Sequence, residues 1–369
     1  MKYYPEISKI VHGALSGDRK LVMSYIELLC EKLQSDGETI ALKGFREKLL
    51  NVRSHNIDVQ STFSRPVPVE KDNRFSLADK TYPSSKEQHV FLPKDDQDTV
   101  DSFISYINKK DQLNALEIPL NPTLLLHGIP GTGKSKLAAK LAARLGLPLI
   151  TARADALISS YLGSTSKNIR SLLEYARSEP CVLFLDEFDA IAKARDDKNE
   201  IGELKRVVVS LLQNIDNLDD TILIAATNHV HLLDPAIGRR FHYKMELKEP
   251  IEYVRYQLFS TLLTKFSFNK REIELFVTLS DGLTGAEIEI ITYDYLRQTV
   301  VSGNEIDSIE LMRKILLSRF DWLNFRIEDR LISMTKLQQA DNKVFTKKFI
   351  SKLWKMSQSN VSKIFKEDN

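Results

Sequence analysis

The chain has 369 residues, of which 43% are hydrophobic and 28% are charged, and its formal net charge is +2. This composition is typical of a soluble globular protein of about two or three domains. No apolar run approaches the ~18 residues of a membrane-spanning helix, and the first residues, MKYYPEISKI, lack the apolar core of a secretory signal. The two cysteines, Cys30 and Cys181, are far apart, which disfavours a zinc site or a disulfide framework and predicts a cytoplasmic location.

The first part of the chain predicts helices followed by a linker. Residues 1–50 place apolar side chains at helical spacing, with breaks at SGD and SDGE, and predict a bundle of two or three helices. Residues 51–87 lose this period and gather Ser, Pro, Asn, Asp and Lys. They predict a linker with room for one short strand.

The central part of the chain predicts an α/β domain. Short apolar runs at 123–128, 148–151, 181–187, 221–228 and 244–248 alternate with amphipathic helical stretches. Such alternation favours a parallel sheet that is wrapped by helices over residues 88–250. The next segment, 251–330, is helical throughout by its pattern.

The segment GIPGTGKS at 128–135 predicts a phosphate-binding loop. Its glycines let backbone N–H groups surround phosphates, Lys134 brings a positive charge to the β- and γ-phosphates, and Ser135 is suited to hold Mg²⁺. An apolar strand precedes the loop and a helix follows it, as such a loop requires. The predicted cofactor-binding residues of the loop are Gly128, Gly131, Thr132, Gly133, Lys134 and Ser135.

Polar residues end two further predicted strands. In VLFLDEFDA, Asp186 is expected to complete the Mg²⁺ shell through water, and Glu187 is expected to act as the general base on the attacking water. The alternative is a charged strand end without function. In LIAATN, Asn228 is expected to hold the attacking water or to sense the γ-phosphate, and the alternative is a turn-forming asparagine.

Two arginines precede the last predicted strand. In LDPAIGRRFHYKMEL, Arg239 and Arg240 have no evident carboxylate partner within their own helical turn. They are either surface charge or arginine fingers that reach the γ-phosphate of a neighbouring subunit. The second interpretation implies a ring, because the donor and the acceptor then lie on different subunits.

Six motifs in order resemble the AAA family of ATPases, in the group related to spastin, katanin and the membrane-bound proteolytic unfoldases. They are GIPGTGKSK, SSYLGSTSKNIRSLLEYA, CVLFLDEFDAIAKAR, AATN, LDPAIGRRF and GLTGAEIE, and they cover about residues 90–300. The resemblance implies an α/β domain with a small helical lid, ATP and Mg²⁺ as ligands, and a homo-oligomeric ring, expected to be a hexamer. It places Gly285 and Ala286 beside the adenine, without an arginine there to act as a second sensor. It makes Arg240 a finger and leaves Arg239 as a second finger or a structural residue.

The resemblance also predicts a pore. Tyr161, Leu162 and Gly163 match an aromatic–apolar–glycine triplet that lines the central pore of such rings, where an aromatic side chain grips an extended polypeptide. The alternative is a surface loop whose tyrosine packs locally. Residues 193–203, KARDDKNEIGE, are either a second pore loop or an ordinary solvated loop.

The C-terminal segment, 331–369, predicts basic helices. It holds eight lysines against three acidic residues. FTKKFISKLWKMSQSNVSKIFK at 345–366 resembles a DNA-binding helix-turn-helix, although Lys355 occupies the turn position that glycine normally holds. A third helix from 304–340 would complete the unit. The alternatives are a helical cap on the lid and a pair of helices that docks a protein.

The sequence therefore predicts a bacterial-type ATPase that remodels protein substrates or threads them through a ring pore. No HExxH or GxSxG motif is present, so proteolysis would need a separately encoded peptidase as partner. One alternative is an ATP-dependent, DNA-associated regulator, and another is a nucleotide switch that acts on a partner protein without threading it. The N-terminal bundle is similar in layout to microtubule-interacting-and-transport domains, or it stabilises the ring.

Overall fold

The computed structural model describes residues 67–69, 76–84, 90–118, 121–157, 162–192, 221–318 and 345–367, with scattered residues before 37 and between 211 and 218. The chain divides into two units, Met1–Arg65 and Pro66–Asn369. In the first unit the described Ile7, Ile26, Leu29 and Leu33 are helical, and Leu29 and Leu33 are buried. The remainder of the predicted bundle lies outside the described residues.

The second unit is built on a sheet, and the predicted α/β fold is confirmed. Six strands are described, in the spatial order β1-β3-β4-β5-β2-β6. Neighbouring strands are parallel except for β1, which pairs antiparallel with β3 at one edge. The strands are β1 (Ala78–Thr81), β2 (Thr123–His127), β3 (Leu149–Ala152), β4 (Val182–Leu185), β5 (Ile222–Thr227) and β6 (Tyr243–Glu246).

The position of β1 extends the sheet beyond the segment predicted as the α/β domain. β1 lies within 51–87, the predicted linker, and it adds an edge strand to the sheet. Every residue of β4 and β5 is buried, which explains why their sequences are continuous apolar runs.

Helices cover both faces of the sheet and form two apolar cores. Leu172, Leu173 and Phe188 belong to the core on one face, and Phe103 and Leu141 belong to the core on the other. The helices are α1 (Lys94–Asn108), α2 (Lys110–Ala115), α3 (Lys134–Leu145), α4 (Ala154–Leu157), α5 (Leu162–Ser178), α6 (Phe188–Ala192) and α7 (Pro235–Gly238).

The C-terminal part of the unit is helical and has a core of its own. Phe259, Phe276 and Leu311 lie in this core, together with Ile350 and Val361 from the last two helices. The helices are α8 (Glu252–Leu262), α9 (Lys270–Leu279), α10 (Gly285–Ser302), α11 (Ser308–Leu317), α12 (Lys347–Leu353) and α13 (Gln358–Glu367). Capping boxes begin α9 at Asn269 and α10 at Thr284. Among the helices that the structure describes, none has the length and apolarity to cross a membrane.

Candidate nucleotide-binding site

The loop between β2 and α3 has a backbone that only glycine accommodates. Gly128 has φ +142°, and a Cβ atom there would lie 2.1 Å from the carbonyl oxygen of Leu247. Gly131 and Gly133 also have positive φ angles, of +82° and +96°. The glycine spacing in the sequence is therefore a requirement of this tight path, which ends at the N-terminus of α3.

Lys134 lies inside the loop at the start of α3. It is 7% exposed, and its Nζ donates hydrogen bonds to the carbonyl oxygens of Gly128 at 2.8 Å and Ile129 at 2.9 Å. Burial lowers the pKa of Lys134, and the carboxylates of Asp186 and Asp189 partly oppose this shift. The ammonium group is held at the mouth of the loop, beside the positive end of the α3 dipole, where it favours an anion.

The carboxyl end of β4 brings Asp186 to the phosphate loop. The Ser135 hydroxyl donates to Oδ2 of Asp186 at 2.8 Å, and the Glu187 backbone N–H donates to Oδ1 at 2.9 Å. A hydroxyl and a carboxylate oxygen side by side are the type of ligand that Mg²⁺ binds, directly or through water. The residues present therefore fit a magnesium ion at this position.

Glu187 follows Asp186 in a left-handed conformation, with φ +50°. This backbone costs a non-glycine residue about 1–2 kcal/mol, so the surrounding structure holds it in place. The Glu187 side chain is exposed and lines the cavity. It is available to a water molecule there, as a general base must be.

Asn228 follows β5 and also lines the cavity. Its Oδ1 is buried and has no hydrogen-bond partner among the described residues. The strand end is fixed next to it, because the Thr227 hydroxyl donates to Asp189 at 2.7 Å and accepts from the His229 N–H at 2.9 Å. A buried acceptor without a partner costs about 1–3 kcal/mol, so this amide is suited to bind water or a ligand.

The predicted residues meet in one cavity of about 750 Å³ between the sheet edge and α10. The Ala286 N–H donates to the Gly131 carbonyl oxygen at 3.1 Å, and Lys136 pairs with Glu289. These two contacts join the phosphate loop and α3 to α10. The predicted residues that line the cavity are Gly131, Thr132, Gly133, Lys134, Ser135, Asp186, Glu187, Asn228, Gly285 and Ala286.

Sequence reasoning missed the apolar wall of the cavity. The segment 90–93 (VFLP) lines it together with Val254 and Leu258 of α8. Lys140 of α3 fixes this segment by donating to the Val90 carbonyl oxygen at 2.7 Å. Four apolar residues before α1 carry no motif, so only their position in space reveals this role.

The two tandem arginines differ in their surroundings. Nε and Nη2 of Arg240 bind the two carboxylate oxygens of Asp216, each at 3.0 Å, and Nη1 donates to the Ala236 carbonyl oxygen at 2.9 Å. The hydrogen bond to Asp216 raises the pKa of Arg240. The Arg239 side chain is exposed and makes no hydrogen bond or ion pair with any residue that the structure describes. Neither arginine is among the described residues that line the cavity.

Part of the predicted pore lies beyond what the structure describes. Leu162 and Gly163 belong to the first turn of α5. Tyr161 and the predicted second pore loop at 193–203 lie outside the described residues.

A parallel sheet whose carboxyl edge carries this glycine loop, the buried lysine and the Ser135–Asp186 pair defines a P-loop nucleotide-binding protein. Residues 124–249 match the family described as "ATPase family associated with various cellular activities (AAA)". The chain therefore carries a AAA-family ATPase domain, the type of domain that binds and hydrolyses ATP. The AAA domain that the six motifs predicted is confirmed over residues 124–249.

Several relatives share this region. The chain is 50% identical over 139 residues to "Uncharacterized AAA family ATPase y4kL" of Sinorhizobium fredii, which covers 37% of this chain and 42% of the relative. It is 37% identical over 174 residues to "26S proteasome subunit RPT4" of Saccharomyces cerevisiae, and the match covers 45% of this chain and 40% of the relative. A "Proteasome-activating nucleotidase" of Sulfurisphaera tokodaii is 29% identical over 330 residues, and the match covers 81% of this chain and 83% of the relative. The chain spans less than half the length of the first two relatives.

Proposed function

We propose that this protein is a Mg²⁺-dependent ATPase that forms a ring, expected to be a hexamer, and uses ATP hydrolysis to remodel or thread protein substrates. The observation that carries the proposal is that the phosphate loop, the Ser135–Asp186 pair, Glu187 and Asn228 meet α10 in one cavity. Two relatives are named for the proteasome, which supports a protein substrate. We also propose a cytoplasmic location and a separately encoded peptidase as a partner, as the sequence predicted.

The predicted residues of the cavity divide the tasks of ATP binding and hydrolysis among them. The loop N–H groups and Lys134 bind the phosphates, and the apolar wall with Gly285 and Ala286 receives the adenine. Ser135 and Asp186 would hold Mg²⁺, which when bound neutralises charge on the phosphate oxygens. Glu187 takes the proton from the attacking water, and the free Oδ1 of Asn228 orients that water.

The first test replaces the general base. Glu187→Gln keeps the size of the side chain but removes its basicity, so we expect ATP to bind normally while hydrolysis falls about 10²- to 10⁴-fold. Single-turnover phosphate release and binding of a fluorescent ATP analogue measure the two steps. Glu249→Gln is the matched control, because Glu249 lines the same cavity away from β4. Near-normal hydrolysis by Glu187→Gln would show that Glu187 is not the base.

The arginine arrangement supports a site shared between subunits. Asp216 and the Ala236 carbonyl oxygen hold Arg240 within its own chain, whereas the Arg239 side chain is exposed and has no partner among the described residues. We therefore assign Arg239 as the arginine that reaches the γ-phosphate of a neighbouring subunit, with Arg240 positioned by Asp216 to support it. This assignment chooses between the two roles that the sequence left open for Arg239, and it replaces the finger role that the sequence predicted for Arg240 with a supporting one.

A mixing experiment tests the shared site. Arg239→Ala and Lys134→Met should each lose most ATPase activity, since the first removes a contribution worth about 10³-fold and the second removes a phosphate ligand. In mixed rings, a subunit with an intact Lys134 can receive Arg239 from its neighbour, so part of the activity should return. A mixture that stays as inactive as its components would contradict a finger acting between subunits. Native mass spectrometry of the wild-type protein gives the subunit number.

Substrate threading is tested at the predicted pore. Tyr161→Ala should leave basal ATPase activity unchanged and abolish its stimulation by an unfolded protein, because the aromatic grip is lost. Tyr161→Phe retains the ring and should retain stimulation. Full stimulation of Tyr161→Ala would instead favour the nucleotide switch that acts on a partner without threading it.

A further inference from the structure

α11 and the last two helices are called here the C-terminal helix unit (residues 308–317 and 345–367), and they share one apolar core with α8, α9 and α10. Ile350, Leu353 and Val361 are buried in the same core as Leu311 and Ile315. α11 lies inside the predicted 304–340 segment and packs against α12, as the third helix of a helix-turn-helix would, and it also packs against α9 and α10.

The connection between α12 and α13 is a tight turn. Lys355 adopts φ +52°, the left-handed conformation for which glycine is the usual residue at this position. The Met356 N–H closes α12 by donating to the Ser351 carbonyl oxygen at 2.9 Å. Ser357 then caps the start of α13, since its hydroxyl accepts from the Asn360 N–H at 3.2 Å. The turn predicted from the sequence therefore forms without glycine.

The outer surface of the unit is basic and polar. Residues 345–367 include six lysines and one acidic residue, Glu367. The side chains of Lys348, Lys352 and Lys363 are exposed and make no hydrogen bond or ion pair within the described part of the chain. Lys355 and Arg313 are instead neutralised by one carboxylate. Lys355 pairs with Glu310 of α11 at 3.3 Å, and Arg313 pairs with the same Glu310.

No large apolar side chain that the structure describes is fully exposed on this surface. The described large apolar residues of α12, α13 and the turn are buried or partly buried against the core of the unit. None of them is among the exposed large hydrophobic residues. A partner protein that docks through an apolar helix face would find no matching patch there, whereas a phosphate backbone matches the unpaired lysines.

The first turn of α13 carries side chains that suit base edges. Gln358, Ser359 and Asn360 are exposed at its N-terminal end, and Lys363 follows one turn later. Amide side chains can bind adenine through two hydrogen bonds in the major groove, and the N-terminal residues of a second helix are the ones that reach bases in a helix-turn-helix. We propose that the C-terminal helix unit binds duplex DNA, with α13 in the major groove and Lys348, Lys352 and Lys363 on phosphates. This binding is separate from the ATPase function.

The test measures duplex binding by the full-length protein. Fluorescence anisotropy with a labelled duplex of mixed sequence, between 50 mM and 200 mM salt, should show affinity that falls steeply with salt. The combined variant Lys348→Ala, Lys352→Ala and Lys363→Ala should bind about tenfold or more weakly, with a log–log salt slope about three units smaller. Thermal unfolding and basal ATPase activity should match the wild type, since the three side chains are exposed.

A control removes equal charge from another surface of the same lid. The combined change Lys265→Ala, Lys270→Ala and Arg271→Ala alters exposed residues of the α8–α9 region and should change duplex affinity less than about twofold. Absence of duplex binding at 50 mM salt, or equal losses in both combined variants, would overturn the proposal.

Sequence reading by α13 is measured separately. Selection from a randomised duplex library should yield a preferred site with the wild type, and Gln358→Ala with Asn360→Ala should lose that preference while keeping salt-dependent affinity. The same selected site from wild type and variant would contradict the placement of α13 in the groove.

Discussion

The nucleotide cavity and the C-terminal helix unit both present lysines suited to phosphate, but they hold them in opposite ways. Lys134 is 7% exposed and donates to two carbonyl oxygens, and its pKa is lowered by burial. The side chains of Lys348, Lys352 and Lys363 are exposed and have no hydrogen bond or ion pair with other described residues. A cavity for a small ligand needs its charge placed in advance, because few contacts must supply all the affinity. A long DNA backbone instead adds many weak contacts from mobile side chains.

The largest expected effect concerns the backbone that makes the cavity rigid. Gly128→Ala places a Cβ against the Leu247 carbonyl oxygen and forces a strained φ, so we expect about 3 kcal/mol or more of lost stability. Gly146→Ala is the control, since it has φ +67° but no atom within 4 Å of the new Cβ, and it should cost about 1 kcal/mol. Urea unfolding measures both variants, and equal losses would show that the close contact at Leu247 is unimportant.

The second prediction separates the two phosphate-binding regions. Lys134→Met removes the pre-placed charge and its hydrogen bonds, so we expect nucleotide affinity to fall about 10- to 100-fold. Duplex affinity without nucleotide should not change, because Lys134 lies in the cavity and not on the C-terminal helix unit. Calorimetric titration with ADP and anisotropy with DNA give the two values. A parallel loss of DNA binding would mean that the regions act as one.

A smaller effect is expected in the turn of the C-terminal helix unit. Lys355→Gly relieves a left-handed conformation that costs about 1 kcal/mol, and Lys355→Ala does not. Both variants lose the pair with Glu310, whose contribution is small because the Lys355 side chain is 63% exposed. The glycine variant should therefore exceed the alanine variant by about 1 kcal/mol in unfolding free energy. Equal stability would indicate that the turn is not strained.

The smallest effect is expected at the contact between α3 and α10. Glu289→Gln breaks the pair with Lys136, a partly exposed pair worth at most about 1 kcal/mol, so ADP affinity should fall no more than about fivefold. The loss should shrink as salt is raised, because salt screens the pair in the wild type. Glu174→Gln breaks the exposed Arg170–Glu174 pair on α5 and is the control. A loss that is insensitive to salt would point to another cause.

Much of the nucleotide site was predictable from short stretches of sequence. The loop at 128–135, the acidic pair after β4 and Asn228 each follow a buried apolar strand, and parallel strands bring their carboxyl ends to one edge. Asp216 was not predictable as the partner of Arg240, because it lies 24 residues away and no motif marks it. The apolar wall at 90–93 was missed for the same reason.

The sequence by itself determined the α/β fold, the phosphate loop and the turn between the last two helices, because each depends on local backbone geometry or on the periodicity of apolar residues. Tertiary structure alone decided that β1 joins the sheet, that Asp216 holds Arg240 while Arg239 stays exposed, and that α11 completes the C-terminal helix unit. These contacts join residues far apart in the chain, and their free energy comes from burial and pairing that exist only after folding.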